Sequence, residues 1–447
     1  MEATSFGALC LLPPLIVIII AIASKRAFEP LLIGSIVGYL MIDRANAFTL
    51  FSDAITKALK DDSMVWIILV CGMYGSVIEL LVRSGATTAF GNYATQFIKT
   101  KKQALFTSWL MGFVMFLDDY MSALSVGNTM KNITDKYKIS RQLLAYMVNT
   151  MAAPVCVIVP LSTWSIYCGK IIAKEMHWNE SDWFGAYWHT IPYVFYGWAA
   201  VLIALLVALG IFPLIGKMKE FEENPIAETQ IKQLEVSKVN ENARYFDFFI
   251  PLIVIVAATV YFDIDALKGI YIGLSFTIAY FWLRKLMDYN SIFEGGFEGF
   301  KSMIFALAIL TVTYVLKDVG DKMGLTPYVI ESIKPVVSKE WLAALVFLSM
   351  AFISYTTASS WGLYLVAIPI VVPLATALGA NVWMCIGAVV SSGAFGSNAS
   401  LYSDCTVLTS SSCEVNSVQH SLAQLPYALI GVALATLMYI VLGIVKF

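Results

Sequence analysis

The sequence predicts an all-α polytopic membrane protein with two inverted-topology repeats. Each repeat would have about five spanning helices plus a re-entrant hairpin, with interrupted helices at the centre. Three observations carry this prediction: an apolar composition, a series of long uncharged segments and a weak internal repeat. The chain has 447 residues, of which 59% are hydrophobic and only 13% are charged, and its mean hydropathy is +0.75. Soluble globular domains are far less apolar.

The uncharged segments favour helices over the strands of a membrane barrel. About ten to twelve segments approach the length that a helix needs to cross a bilayer. They are continuously apolar, whereas barrel strands alternate between apolar and polar positions. In the first half, full spans are expected near 6–24, 28–42, 64–82, 142–169 and 190–215.

The internal repeat divides the chain into two halves. Pro-Leu-Ile-Val-Ile at 14–18 returns at 251–255, and three shorter matches keep a similar offset of about 240 residues. We therefore expect a first transmembrane repeat at 1–216, a solvated polar connector at 217–244 and a second transmembrane repeat at 245–447. Five spans and a hairpin make an odd number of crossings, so the second repeat would be inverted relative to the first, as in many secondary transporters.

Charge and cysteine usage exclude several other classes of protein. The formal net charge is −2 and the basic residues form no tracts, so a nucleic-acid partner is not expected. Seven dispersed cysteines without CxxC spacing predict neither a disulfide framework nor a metal centre. The sequence has no enzyme or cofactor motif, so neither catalysis nor a cofactor is expected. His189 and His420 each precede a Pro-Tyr pair, and both are expected at the membrane interface, with a role as a titrating gate as the alternative.

Asp118 and Asp119 are the most informative residues. They end an uncharged stretch, 105–117, that continues through small and polar residues to 127, a pattern that predicts a re-entrant hairpin. A helix of that length reaches roughly 20 Å, past the middle of the hydrocarbon core. A charged side chain at such a depth costs at least ~2.5 kcal/mol, and intramembrane acids usually carry ions, protons or ligand contacts.

Further polar interruptions occur where other helices should break. The repeat offset places a hydroxyl-rich segment, 354–362, opposite the aspartate pair, and a proline-interrupted segment, 148–164, has a Ser- and Gly-rich counterpart at 391–404. Gly393 and Gly396 are expected to permit unwinding. Hydroxyl, carboxylate and freed carbonyl oxygens are hard ligands that suit small cations, although Ser and Thr can also simply pack between helices. The candidates from these segments are Asn149, Thr163, Thr356, Thr357, Ser359, Ser360, Trp361, Ser397, Asn398 and Asp404.

Several motifs occur in a fixed order and spacing over most of the chain: Phe116-Leu-Asp-Asp-Tyr120, Ser140-Arg141, Ala152-Ala-Pro154, Pro160-Leu-Ser-Thr-Trp164, Ser359-Ser-Trp-Gly362, Ser403-Asp404 and Gln424-Leu-Pro-Tyr427. Together they resemble the NhaC-type sodium/proton antiporter family, within the ion transporter superfamily. This resemblance implies inverted repeats, alternating access and, often, a homodimer. By position it implies ion or substrate handling by Asp118, Asp119, Asn149, Thr163, Ser360 and Asp404. One departure is that Ser397 and Asn398 replace an acid and a histidine of the family pattern, which makes an organic solute more plausible here.

We therefore predict a cation-coupled secondary transporter in a bacterial-type plasma membrane, most plainly a sodium/proton antiporter. Desolvation raises the pKa of a carboxyl group, which lets it hold a proton and exchange it for Na⁺ near neutral pH. Transient Na⁺ binding is expected at Asp118, Asp119 and Asp404. The alternative is a Na⁺- or H⁺-coupled transporter or exchanger of an amino acid or carboxylate on the same scaffold, and a channel is a distant third. The sequence identifies neither the solute nor the stoichiometry.

Overall fold

A computed structural model describes most of the chain, and every regular element in the described part is helical. The described residues are 6–24, 28–96, 98–116, 118–179, 182–223, 242–262, 265–325, 328, 332, 337–358, 360–401 and 403–445. Numbered in chain order, the helices up to the connector are α1 (Leu12–Ser24), α2 (Phe28–Ile42), α3 (Ala47–Lys60), α4 (Asp62–Arg83), α5 (Ala86–Thr95), α6 (Lys101–Val114), α7 (Asp119–Lys136), α8 (Arg141–Ile158), α9 (Thr163–Glu175), α10 (Trp183–Trp188), α11 (Phe195–Ala208) and α12 (Lys217–Glu223).

The second half continues with nine more helices among the described residues. They are α13 (Phe246–Tyr261), α14 (Ala266–Leu283), α15 (Tyr289–Ser302), α16 (Ile304–Met323), α17 (Lys339–Thr357), α18 (Ser360–Leu378), α19 (Val382–Ala399), α20 (Asp404–Cys413) and α21 (Ser417–Val445). Most of the predicted connector, 224–241, lies outside the described residues.

The helical segments include enough long apolar stretches for a multi-pass membrane protein. By length and composition, five described segments could cross a membrane: Met64–Arg83, Arg141–Glu175, Ser360–Leu378, Val382–Cys413 and Ser417–Val445. Helices α10 and α11, bent by 59° with a short 3-10 helix between them, make a sixth candidate. Four further apolar helices are shorter, which is why fewer full-length spans appear than the sequence predicts.

The interrupted helices form the centre of the bundle. The Arg141–Glu175 and Val382–Cys413 segments are each 89% buried, against 28% for Ser417–Val445. Each central segment breaks once, between α8 and α9 and between α19 and α20. The restart after each break has the same cause, because Ser162 and Ser403 cap α9 and α20 by accepting hydrogen bonds from the backbone N–H groups of Ser165 and Thr406.

The helix order recurs in the two halves. The starts of α7, α8 and α9 return at a constant offset as the starts of α18, α19 and α20. The capping serines repeat in detail: the hydroxyl of Ser162 donates to the carbonyl of Cys156, and that of Ser403 donates to the carbonyl of Ser397. The division into repeats at 1–216 and 245–447 and the inversion of the second repeat both stay predictions.

The prediction that Gly393 and Gly396 unwind the helix is wrong, because α19 continues through both to Ala399. These glycines instead allow close packing. A Cβ at Gly393 would overlap the ring of Tyr364, and one at Gly396 would overlap Ser354. Because these two glycines have no side chains, α17 and α18 can pack closely against α19. The break comes later, between the end of α19 at Ala399 and the start of α20 at Asp404.

A second close contact joins α4 to α15. A Cβ added at Gly75 would overlap the carbonyl oxygen of Gly299, and a Cβ at Gly299 would overlap that of Gly75. The two backbones therefore touch directly, which only glycine permits. One turn earlier on α15, Gly296 has no heavy atom within 4 Å of its ideal Cβ position.

We expect Gly299→Ala to lower the melting temperature of the purified protein, because overpacking costs about 1–3 kcal/mol. Gly296→Ala is the matched control on the same helix, and it should be neutral or slightly stabilising because alanine favours helix. Thermal unfolding in detergent, followed by circular dichroism, measures both. Equal melting temperatures for the two variants would contradict the close backbone contact.

Candidate functional site

Asp118 holds the start of α7 in place. Its Oδ1 accepts hydrogen bonds from the backbone N–H groups of Tyr120 (2.9 Å) and Met121 (3.1 Å), which makes it the N-cap. Its Oδ2 accepts a bond from the hydroxyl of Thr163, 2.9 Å away at the start of α9. The carboxylate therefore connects the turn between α6 and α7 to the broken helix α8–α9.

Asp119, the next residue, is fully buried and less completely bonded. Its Oδ1 accepts a hydrogen bond from the indole N–H of Trp164 at 2.9 Å. Its Oδ2 has no hydrogen-bond partner among the described residues. Ionised carboxylates are rarely buried without partners, so this oxygen marks Asp119 as the candidate group for binding a proton or a cation.

Asp404 brings the second half of the chain into the site. This partly buried residue begins α20, and its Oδ2 accepts a hydrogen bond from the hydroxyl of Tyr120. Its Oδ1 accepts from the backbone N–H of Cys405 at 2.8 Å. Because Tyr120 directly follows Asp118 and Asp119, its bond to Asp404 brings that residue beside them. The structure therefore brings the three predicted acids together.

These three carboxylates are not neutralised by basic side chains. Among the described residues, every ion pair of Lys or Arg is made with another acid, and none reaches Asp118, Asp119 or Asp404. The described part of the chain also holds no group of three or more His, Cys, Asp or Glu side chains arranged to bind a metal ion. A cation here would therefore use one or two carboxylates together with hydroxyl or carbonyl oxygens.

Four helices begin around the acids. Helices α7, α9 and α20 start at Asp119, Thr163 and Asp404 themselves. Helix α18 joins them through Trp361 near its start, whose ring lies 5.4 Å from that of Trp164. Helix N-termini carry partial positive charge, so their convergence partly offsets the negative charge of the carboxylates.

A buried polar network adjoins the acids. The side-chain amide of Asn149 donates to the carbonyl of Asn398 at 3.0 Å and to the hydroxyl of Thr406 at 3.2 Å. The Asn398 side chain accepts from Tyr196 at 2.7 Å. The thiol of Cys405 donates to Asn149 Oδ1 at 3.3 Å. Asn149 and Asn398 are thus brought together next to Asp404, as a second layer behind the carboxylates.

The remaining predicted residues have different positions. The hydroxyl of Ser360 donates to the carbonyl of Gly393 at 2.7 Å, so it ties α18 to α19. Ser397 is buried, and its hydroxyl has no hydrogen-bond partner among the described residues. Helix α17 ends at Thr357, and Ala358 adopts a left-handed backbone with φ 53°, which confirms a break opposite the aspartate pair. The side chains of Thr356 and Thr357 and all of Ser359 lie outside the described residues.

A cavity of about 450 Å³ lies against the C-terminal part of α9, on the same side of the site as its aromatic residues. Its lining includes Lys170, Lys174 and Tyr167 of α9 and Asp318 of α16. The ring of Tyr167 is 4.9 Å from that of Trp361. Tyr167, Trp361 and Trp164 therefore form a row of aromatic rings between the cavity lining and Asp119.

Comparison with known proteins identifies the family. The model of the Na⁺/H⁺ antiporter family matches residues 165–444, more than half of the chain. The chain belongs to the Na⁺/H⁺ antiporter family. The family resemblance predicted from the motifs is therefore confirmed, and the protein is a multi-pass membrane transporter.

One relative of this antiporter-family protein and one solved structure extend the comparison. An uncharacterized protein of Haemophilus influenzae is 28% identical over an alignment that covers 97% of this chain and 90% of the relative. The crystal structure of the Alcanivorax borkumensis YdaH transporter, described as having an unusual topology, matches with a TM-score of 0.52. That match covers 88% of this chain and 87% of YdaH at 11% identity, so the likeness is one of fold alone.

Sequence reasoning missed several residues of the site. Tyr120 and Trp164 belong to the motifs that carry the family resemblance. Their hydrogen bonds to Asp404 and Asp119, however, depend on contacts between segments that are distant in the sequence. The expectation that His420 lies at the membrane interface is wrong, because its side chain is 0% exposed and lies 3.3 Å from the amide of Asn149. The polar spacing of His420, Gln424 and Tyr427 on one face of an apolar helix was the available signal. His189, in contrast, is exposed.

Two substitutions of Asp118 separate its capping role from its charge. Asn caps helices about as well as Asp, whereas Ala removes the cap at a cost of about 1 kcal/mol. We therefore expect Asp118→Ala to melt at a lower temperature than Asp118→Asn in detergent. Thr100→Ala, which removes the cap of α6 at an exposed position, gives the size of an ordinary cap effect. If Asp118→Ala melted like the unmodified protein, Asp118 would not hold the start of α7.

Proposed function

We propose that this protein exchanges Na⁺ for H⁺ by alternating access, as an NhaC-type antiporter with Asp118, Asp119 and Asp404 as the exchange site. One observation carries the proposal: two fully buried carboxylates and a partly buried third interact with each other but have no basic partner among the described residues. An unpaired buried carboxylate is costly, so such a site binds either a proton or a cation. Competition between the two at one site is what couples their movements.

Asp119 is the best candidate for the group that exchanges ions. Asp118 already accepts three hydrogen bonds, which stabilise its charged form and leave it a supporting role. Asp119 accepts one bond from Trp164 and keeps an oxygen without a partner. Na⁺ prefers such hard oxygen ligands, and neighbouring hydroxyls such as that of Thr163 can complete its shell.

The helix breaks supply the conformational part of the proposal. Breaks beside α7, α9, α18 and α20 all adjoin the acids, so shifts of these half-helices change which side the site faces. The cavity beside Tyr167 would be one aqueous approach, closed towards Asp119 by Trp361 and Trp164. A plasma-membrane location and a homodimer remain part of this proposal.

A second candidate is coupled transport of a small organic anion or zwitterion. It is favoured by the four helix N-termini around the site and by the indole N–H of Trp361, which is buried without a hydrogen-bond partner among the described residues. Both features would bind a carboxylate group of a solute. Ser397 and Asn398 also stand where the family pattern has an acid and a histidine, and this loss of an acid likewise favours an organic solute.

Proteoliposome transport tests the exchange site. With an imposed Na⁺ gradient, the unmodified protein should move protons against the direction of Na⁺, as reported by a pH-sensitive dye. Asp119→Asn should reduce this movement to the level of empty vesicles, because an amide neither releases a proton nor carries the charge that binds Na⁺. Asp288→Asn is the matched control, since Asp288 is an exposed cap of α15 and Asn preserves that cap.

Two results would count against this assignment. If Asp118→Asn and Asp119→Asn both left transport and its cation dependence intact, the proposed site would be wrong. If protons moved only after a labelled amino or carboxylic acid was added to the vesicles, the second candidate would replace Na⁺/H⁺ exchange.

A further inference from the structure

Two helices face each other through polar side chains, although both are otherwise apolar. Tyr146 and Asn149 lie on one face of α8, and His420, Gln424 and Tyr427 lie on one face of α21 at helical spacing. We call these five residues the polar seam. All five are at most 2% exposed. The helices run antiparallel, because His420 meets Asn149 whereas Tyr427 meets Tyr146, with ring centroids 4.7 Å apart.

The inner end of the seam reaches the carboxylates. The amide of Asn149 bonds to Thr406 and lies 3.3 Å from His420 Nε2. The thiol of Cys405 donates to the amide oxygen, Oδ1, of the same asparagine. Since Cys405 and Thr406 directly follow Asp404, the inner end of the seam lies beside the exchange site.

The outer end of the seam lies beside the polar connector. The hydroxyl of Tyr427 accepts a hydrogen bond from the backbone N–H of Ile215 at 2.8 Å. Helix α12, which begins the connector, follows Ile215 directly and packs against both α8 and α21. The cavity beside Tyr167 lies near the C-terminal end of α9, at the opposite end of the Arg141–Glu175 segment. The seam and the cavity therefore approach the acids from opposite ends.

Several buried atoms along the seam lack partners. Tyr146 Oη, His420 Nδ1, Gln424 Oε1 and Ser400 Oγ have no hydrogen bond to any described residue. Ser400 adjoins α21, because its carbonyl accepts a hydrogen bond from Ser421 at 3.1 Å. Leaving a buried polar group unsatisfied costs about 1–3 kcal/mol, so a row of them usually marks ordered internal water.

We propose that the polar seam binds a chain of internal waters and is the route by which protons pass between Asp404 and the connector side of the membrane. This inference rests on the proposed Na⁺/H⁺ exchange. Na⁺ cannot follow, because the seam offers only single neutral side chains and no carboxylate between Asp404 and Tyr427. The titratable groups that face His420 and Asn149 are Cys405 and the tyrosines, and no Lys or Arg is paired into the seam among the described residues.

The proton balance along the seam is simple. Each water accepts one proton from one neighbour and donates one to the next, so one proton leaves a carboxyl group and one reaches the aqueous side. Nε2 of His420 lies 3.3 Å from the amide nitrogen of Asn149, whereas Nδ1 has no partner among the described residues and can bond a water of the chain. His420 can therefore pass a proton by accepting on one nitrogen and donating from the other.

The test compares two activities of one preparation in proteoliposomes. Na⁺-driven proton movement needs both ions, whereas exchange of ²²Na⁺ for unlabelled Na⁺ needs no proton route. Tyr146→Phe and Gln424→Met keep side-chain volume but remove hydrogen-bonding atoms from the seam. We expect each to slow Na⁺/H⁺ exchange about tenfold, in keeping with the loss of one buried polar group, and to leave ²²Na⁺/Na⁺ exchange within about twofold.

Tyr439→Phe is the matched control. It removes a buried hydroxyl that donates to the carbonyl of Tyr193 at 2.7 Å, outside the seam, so it should change both activities equally or neither. Equal losses of both activities in the seam variants, or no loss of either, would overturn the proton route while leaving Na⁺/H⁺ exchange standing. If the unmodified protein showed no Na⁺-driven proton movement, the proposed function would fail and the proton route with it.

Discussion

The burial of carboxylates without a basic partner is the constraint on which the site depends. Asp118 and Asp119 are fully buried, and Asp404 approaches them from the other half of the chain. In the described part of the protein no Lys or Arg offsets their charge, so it is stabilised by backbone N–H groups, hydroxyls and helix N-termini. Helices α7, α9 and α20 begin at this point and supply those donors. The breaks in the central helices follow from the same requirement.

Part of this arrangement could be predicted from the sequence. The charged pair after an apolar stretch predicted a break at Asp118, and Ser and Pro residues predicted the interruptions before Thr163 and Asp404. These signals are local, because a cap or a break is decided by neighbouring residues. The role of Gly393 and Gly396 was not predictable in the same way. Glycine both loosens a helix and lets another helix approach, and only the position of α17 and α18 decides which effect matters.

The contacts that complete the site join residues far apart in sequence. Tyr120 meets Asp404, and Asn149 meets His420, across more than half the chain. A histidine beside an apolar segment usually lies at a membrane interface. His420 is buried instead because α21 packs the face that bears it against α8. At the other end of α20, Glu414 pairs with Lys131 and Arg141 and fastens this half-helix to α7 and α8. Partial burial opposes ionisation of Glu414, but these pairs outweigh it and hold its pKa below the usual range.

The two approaches to the acids give the proposed cycle a physical outline. The cavity beside Tyr167 ends at a layer of three aromatic rings, whereas the polar seam reaches Asp404 through neutral groups. A wide approach suits a hydrated cation, and a narrow row of hydrogen-bonding groups suits protons alone. In the proposed cycle both would lead to the same few oxygens, for which Na⁺ and a proton would compete. Coupling would then follow from competition, with the broken helices changing which side has access.

The most direct measurement is proton release when Na⁺ binds to the purified protein in detergent. Isothermal titration calorimetry in buffers of different ionisation enthalpy counts the protons released for each Na⁺ bound. Exchange at the aspartates predicts Na⁺ binding with net proton release, both lost in Asp119→Asn. Na⁺ binding without proton release, or binding that survives this substitution, would contradict a site at which the two ions compete.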